Sequence, residues 1–348
     1  MSRYAGSRFD LAQANGGNSS VKTEGDLMYV KASGCSLADV DRSRGYAQVS
    51  YKKIAEILND EKLINNAEPK KRDELLLRVV NEAVFSGQER PSIEVFLHSI
   101  LDTYALHVHP VVVNTVTCQK SWSGTLRDIF NDAALVAYKT PGVELAMELK
   151  KAVEEFTQKT AAKPKIIFLQ NHGLIVTSDK FDDIEPTVES VLGKIEKYLG
   201  VDFSRYKLTT KLAELLKDVT HIYPVCYLSE DAQLKSALKS RRDMFFAKPS
   251  CPETLIFCGA CCVEIKDFKD RQVILDYNKK YGQLPKVVVF QDDIFFVAST
   301  MKKAKEAEDV FKAHILSLTM AKGGFNCLSD QEIKYLSDLE SEKYRQQI

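Results

Sequence analysis

Charge of one sign is what this chain lacks: 48 Lys and Arg residues face 48 Asp and Glu across 348 positions. With no net field, neither nucleic acid nor an anionic membrane surface is an expected partner, and recognition of any anion must be local. Long apolar runs are missing too. No window approaches the roughly eighteen apolar residues that span a bilayer. The first thirty positions are interrupted by Arg3, Arg8, Asp10, Asn15, Asn18, Lys22 and Glu24, so no secretory signal is expected and the protein is expected in the cytoplasm. The eight cysteines show no framework spacing. Cys118 in VVVNTVTC and Cys258, Cys261 and Cys262 in LIFCGACCVEI read as reduced and mostly packed. Cys258-Gly-Ala-Cys261 has no second pair and no flanking His, so it reads as a strand and tight turn in a core. No P-loop and no dinucleotide fingerprint occurs.

What remains is ordinary globular material, 45% apolar and 28% charged, long for one core at roughly 100–200 residues per domain. A short strand over residues 26–31 lies between two turn-like stretches, AQANGGNSS and ASGCSLADV. Helical periodicity covers residues 48–59 and 71–86. A third helix is expected over 92–104, with Ser92 as its N-cap and Glu94 in its first turn. LHVHPVVVNTVTC reads as a buried strand. A long helix over 143–159 follows Pro141-Gly142, two short strands flank a polar tetrapeptide within 165–177, and another helix covers 184–199. Alternating strands and helices place the chain in the α/β class and, taken alone, suggest parallel strands.

The second half repeats part of this layout. Residues 164–178 can be laid over 285–299 without a gap, each stretch followed by a helix. Asp293 then falls on His172 and Ile294 on Gly173. Either the chain holds an internal duplication whose second copy lost its site, or two ordinary β-β-α units coincide.

His107 and His109, separated by Val108, present two imidazoles on one strand face while Val108 packs on the other. Polar rings in a dry strand are costly unless something uses them. A divalent metal is one use, and a hydrogen-bonded or surface pair is the other. His172, in Gln-Asn-His-Gly between two apolar strands, is a third candidate ligand, with Gly173 permitting close backbone approach. Glu94 is a candidate fourth ligand or general base, or simply an acid favoured at a helix start. His98, one turn on, either orients Glu94 or is a core histidine. The loops 15–20 (NGGNSS) and 32–34 (ASG), and Ser92, offer N–H and hydroxyl groups to a small anion, though each alone is also an ordinary turn.

In order, GGNSS, VKASG, SxExxxH, HxHP and QNHG resemble the class II aldolase/adducin superfamily over residues 1–200. Within it, AQANGGNSSVK, LMYVKASGCSL and the tail GGFNCLSDQEIKYLSDLESEKYR are most similar to the aldolase region of rhamnulose-1-phosphate aldolase/alcohol dehydrogenase proteins, with the dehydrogenase half absent. The resemblance implies a three-layer sandwich with a central, mainly antiparallel sheet over residues 1–204. A smaller C-terminal α/β region without metal ligands, readable as a degenerate repeat, follows over 205–348. It implies Zn2+ or another divalent metal on His107, His109 and His172, Glu94 as the base, and Asn18, Ser33, Gly34 and Ser92 around a substrate phosphate. The implied reaction is reversible cleavage of a ketose 1-phosphate to dihydroxyacetone phosphate and an aldehyde. The acid toward the leaving aldehyde is a tyrosine, with Tyr104, Tyr138 and Tyr335 as candidates. An epimerase, dehydratase or decarboxylase would use the same scaffold, and a non-catalytic adducin-like module would not need the histidines. Family members are commonly homo-oligomers, often tetramers, acting on small phosphorylated sugars.

Overall fold

The computed structural model describes residues 1–60, 64, 69–85 and 89–338. The chain forms two compact units, Met1–Phe203 and Ser204–Ile348.

The first unit is built on a seven-stranded sheet in the order β3-β2-β1-β4-β7-β6-β5. These are β1 (Asn18–Lys22), β2 (Leu27–Lys31), β3 (Tyr46–Ser50), β4 (Tyr104–Val108), β5 (Ala133–Val136), β6 (Ile166–Leu169) and β7 (Gly173–Ser178). Every neighbouring pair is antiparallel except β5 and β6. The sheet is therefore mainly antiparallel, as the resemblance implied, and not parallel, as alternation alone suggested. Both faces are covered. Helices Tyr51–Ile57, Pro69–Glu82, Val95–Ile100 and Val143–Thr160 pack on one side, and Val111–Thr117, Trp122–Ile129 and Ile184–Leu199 on the other. Strand periodicity sorts the side chains: in β4, Ala105 joins the first core while Leu106 and Val108 join the second. Each fully buried Leu or Val of this kind contributes about 1.5–3 kcal/mol.

Several sequence expectations are corrected. The buried strand expected from residue 106 onward ends at Val108. Pro110 then caps the helix Val111–Thr117, because its fixed φ suits a helix start and Val112, Val113 and Val116 find one apolar face to bury. Packing overrides the β propensity of the valines. Residues 48–50 belong to β3, and the Ser50 side chain caps the helix Tyr51–Ile57 by accepting from Lys53 N. The helix expected over 71–86 is Pro69–Glu82, and Ser86 lies outside the described residues. The helix expected over 92–104 is only Val95–Ile100, with Glu94 and not Ser92 at the N-cap position, while Tyr104 opens β4. Cys118 is exposed. Cys258 ends a helix, Pro252–Cys258, and the left-handed Gly259 turns the chain toward a later strand.

The second unit has a four-stranded sheet in the order β8-β11-β10-β9, comprising β8 (Val225–Leu228), β9 (Val263–Glu264), β10 (Val287–Phe290) and β11 (Asp293–Ala298). Helices Ala232–Ser240 and Met301–Met320 cover one face, and Leu208–Thr220 and Arg271–Tyr281 the other. Residues 287–320 are therefore a strand pair and a helix, as the internal comparison expected. The gapless overlay is corrected at the turn: Leu169 pairs with Gly173, but Phe290 pairs with Asp293, one residue sooner. Asp293 thus opens its strand as Gly173 does, and Asp292 takes the turn position of His172. Residues 339–345 of the tail motif lie outside the described residues. Among the described residues, no helix is long and apolar enough to cross a membrane.

Candidate metal centre

His107 is fully buried near the end of β4, on the face shared with Ala105. Its Nδ1 donates to the carbonyl of Leu174 on β7 at 3.1 Å, which leaves Nε2 as a bare acceptor. His109 stands just past the strand end, and its backbone N–H donates to Leu11 O. His172 occupies the β6–β7 turn beside the left-handed Asn171. The three Nε2 atoms converge, 3.1 Å from His109 to His107 and 3.3 Å from His107 to His172. Among the described residues, these three form the group able to hold a metal ion.

Glu94 completes the cluster. Its Oε1 lies 3.5 Å from His107 Nε2 and 3.2 Å from His172 Nε2. Its Oε2 accepts from the Asn18 side-chain amide at 2.6 Å. A tetrahedral donor set at zinc–nitrogen distances of about 2.0–2.1 Å has edges of about 3.3–3.4 Å. The four spacings fall at that edge length, so the donor set fits a divalent ion. Electrostatics agree. Burial would raise the Glu94 carboxyl, but His107, His172 and Asn18 together hold it well below the ordinary carboxylate range. Burial, then the neighbouring His107 and His172, lower His109 to about 3, which keeps its ring neutral as a ligand must be.

Close packing makes the convergence possible. A Cβ on Gly173 would meet Val108 O at 2.3 Å and His109 Cδ2 at 3.1 Å, and one on Gly16 would meet His109 Nδ1 at 2.8 Å. Both glycines let backbone lie against the His109 ring.

The structure brings Asn18, Ser92, Glu94 and the three histidines together. Asn18 begins β1 opposite His107, and its amide also donates to Ser92 Oγ at 3.0 Å. Its own Oδ1 is buried without a partner. Ser33 and Gly34 form the turn after β2, which is tied to the Ser92 segment by Ser33 N to Arg90 O and Ser92 N to Lys31 O. The Ser33 N–H is therefore already used. Gly34 has φ +78° and open space at its Cβ position. His98 does not touch the Glu94 carboxylate: it is fully buried, its Nδ1 meets Ser20 Oγ at 2.7 Å, and burial followed by the charge of His107 lowers it to about 3. It is a core histidine.

Lys31 escaped the sequence reading. It is almost fully buried, and its ammonium donates to Asn15 O, Ala32 O and Cys35 O, stitching the two glycine-bearing loops together. The signal was present, since a lysine directly before ASG cannot continue an apolar strand without polar partners. Of the tyrosine candidates in this unit, Tyr138 has its backbone N–H on Gln170 Oε1, in the His172 turn, whereas Tyr104 packs on Phe181 at the far end of β4.

Residues 2–189, more than half of the chain, match the family described as Class II Aldolase and Adducin N-terminal domain. The chain belongs to this family. Similar solved structures include the N-terminal class II aldolase domain of a conserved protein from Thermoplasma acidophilum, 24% identical, covering 57% of this chain and 90% of that one at a TM-score of 0.48. YgbL from Escherichia coli, provisionally assigned as an aldolase, epimerase or decarboxylase, is 17% identical over 58% of this chain and 88% of its own, at a TM-score of 0.39. An L-fuculose 1-phosphate aldolase is 18% identical over 57% and 86%, at 0.38. No curated protein matches the chain. Class II aldolases use a divalent metal, and a histidine triad of a kind that could hold one is present here.

Proposed function

We propose that the protein is a divalent-metal-dependent aldolase cleaving a ketose 1-phosphate into dihydroxyacetone phosphate and an aldehyde, with Zn2+ or another divalent metal as the ion. The observation that carries this reading is the convergence of the His107, His109, His172 and Glu94 donors. An ion held there supplies Lewis acidity for the negative charge that develops as the carbon–carbon bond breaks. The chain supplies the rest. Glu94, held ionised and aimed by Asn18, removes the proton from the nucleophilic carbon in the condensation direction and returns it in cleavage. Gly34 N–H and the Ser33 and Ser92 hydroxyls line the segments that would receive the phosphate, and Asn18, whose amide donates to Ser92 Oγ, holds that hydroxyl in place. Tyr138 is the best placed group to protonate the aldehyde oxygen in condensation and to take that proton back in cleavage, since Gln170 tethers its backbone to the His172 turn.

Epimerase, dehydratase or decarboxylase chemistry would use the same groups, and product analysis separates these reactions. A non-catalytic adducin-like role would leave the converging Nε2 atoms without a purpose. The test is metal content by mass spectrometry, wild type beside His107→Ala/His109→Ala, followed by assay of ketose 1-phosphates for dihydroxyacetone phosphate. About one equivalent in the wild type and none in the variant is expected. A wild type that takes up no zinc, cobalt or manganese would sink the reading. We further propose a homo-oligomer of cytoplasmic location, with residues 1–204 as the catalytic domain.

A further inference from the structure

The two units share more than one hairpin. β4-β7-β6-β5 and β8-β11-β10-β9 have the same order and the same directions: antiparallel, antiparallel, parallel. Register agrees as well. Tyr104 pairs with Ser178 at one end of β4–β7, as Val225 pairs with Ala298 in β8–β11, and His107 opposes Ile175 as Leu228 opposes Phe295. The helix after β4 starts behind Pro110 and the helix after β8 behind Asp231, which caps it by accepting from Leu234 N. The helices before β6 and β10 both end in left-handed caps, Ala161 and Gly282. Val95–Ile100 and Val143–Thr160 share one face of the first sheet as Leu208–Thr220 and Arg271–Tyr281 share one face of the second, and Val111–Thr117 and Ile184–Leu199 share the other as Ala232–Ser240 and Met301–Met320 do.

This correspondence assigns partners to the metal residues. His107 becomes Leu228, His109 becomes Glu230, Gly173 becomes Asp293, and the turn position of His172 becomes Asp292. Glu94 directly precedes Val95–Ile100 in the first unit; before the matching helix Leu208–Thr220 the second unit has the short 3-10 turn Ser204–Lys207, and Arg205 in that turn reaches the same strand ends. The Arg205 side chain donates through Nη1 to Glu230 Oε1 at 2.6 Å, through Nε to Asp293 Oδ1 at 2.6 Å, and through Nη2 to Ser229 O at 3.3 Å.

We infer that the second unit is a silenced copy of the sheet core of the first, in which the Arg205 guanidinium stands where a divalent cation would stand. The donor set changes in kind: three neutral imidazoles and one carboxylate around an ion become two carboxylates around a fixed organic cation. Leu228 removes the central ligand, so the copy holds no ion of its own while Arg205 is present. The inference borrows the metal reading of the first unit, but its test does not.

In the full chain carrying His107→Ala/His109→Ala, which blanks the first unit, Arg205→Ala leaves Glu230 and Asp293, with Asp292 beside them, as an oxygen set suited to a hard divalent ion. Mn2+ is the probe, read by calorimetry and by thermal melting. The inference expects about one equivalent of Mn2+ bound by Arg205→Ala and a melting temperature that rises with Mn2+. Arg205→Lys, which keeps the internal cation, should bind none. If Arg205→Ala does not fold, Arg205→Gln answers the same question. A folded Arg205→Ala or Arg205→Gln chain that takes up no Mn2+ overturns the inference, as does equal uptake by Arg205→Lys. Metal uptake here with none in the wild type would retain this inference and discard the first-unit reading.

Discussion

Asn18 and Glu94, far apart in sequence, meet through one short contact: the Asn18 amide donates to Glu94 Oε2 at 2.6 Å, leaving Oε1 to face His107 and His172. The amide thus fixes which carboxylate oxygen faces the histidines, and it favours the ionised form.

Replacing that donor changes the pH profile in a defined direction. Asn18→Asp sets a like charge beside Glu94, so the Glu94 carboxyl titrates higher than in the wild type. The active ionised form is then lost at a higher pH as the solution is acidified, and the acid limb of kcat moves up. Asn18→Ala removes a hydrogen bond to the charged form and shifts it the same way, by less. Both should lower kcat roughly 10–100-fold while metal content stays near the wild-type value. Unchanged acid limbs in both variants would remove Asn18 from this role.

Gly173→Ala tests the close approach at His109. The new methyl would sit 2.3 Å from Val108 O, so β7 or the His109 strand end must shift, at a cost of about 1–3 kcal/mol. Metal affinity should fall with stability. Gly193→Ala is the control: nothing lies within 4 Å of its Cβ position, in the helix Ile184–Leu199, and it should gain about 0.5–1 kcal/mol. Thermal melting and metal titration on both variants decide the matter.

Arg8 is fully buried and bonds Asp10 through two contacts, 3.0 and 2.5 Å, as well as Tyr4 and Glu189. Asp10→Ala removes two of that charge's bonds and leaves it to the partly exposed Glu189 and to Tyr4, and should cost up to about 3–5 kcal/mol. The effect should reach the histidine cluster, because Val111 N and His109 N donate to Asp10 O and Leu11 O respectively. Arg8→Met/Asp10→Leu, which removes both charges, should recover most of the loss in denaturant titrations. A double variant as unstable as Asp10→Ala would argue against an uncompensated charge as the cause.

Lys31→Met removes the ammonium that joins Asn15 O to Ala32 O and Cys35 O. The two loops lose their shared donor, so KM for a phosphorylated substrate should rise about tenfold or more, with metal content unchanged. Each abandoned carbonyl adds about 1–3 kcal/mol of instability where it stays dry. Inorganic phosphate inhibition, weakened in the variant, distinguishes a loosened anion cradle from general unfolding.

The sequence by itself determined the donor set. HxH, QNHG and Glu94 carry their chemistry in residue type and spacing, and strand periodicity already put His107 opposite Val108. It also determined the apolar hairpins and the helix Ile184–Leu199, where burial follows one clean period. Tertiary structure decided the rest. Val111–Thr117 became a helix because an apolar layer was there to receive it, against the local preference of three consecutive valines. Glu94 reached His172 only because β4 and β7 are neighbours, a pairing between distant segments that no local pattern encodes. The fate of Asp293 turned on a single residue in a turn length: it faces Arg205 at the position of Gly173, and not at that of His172, because backbone hydrogen bonding, which a gapless overlay cannot see, sets the register.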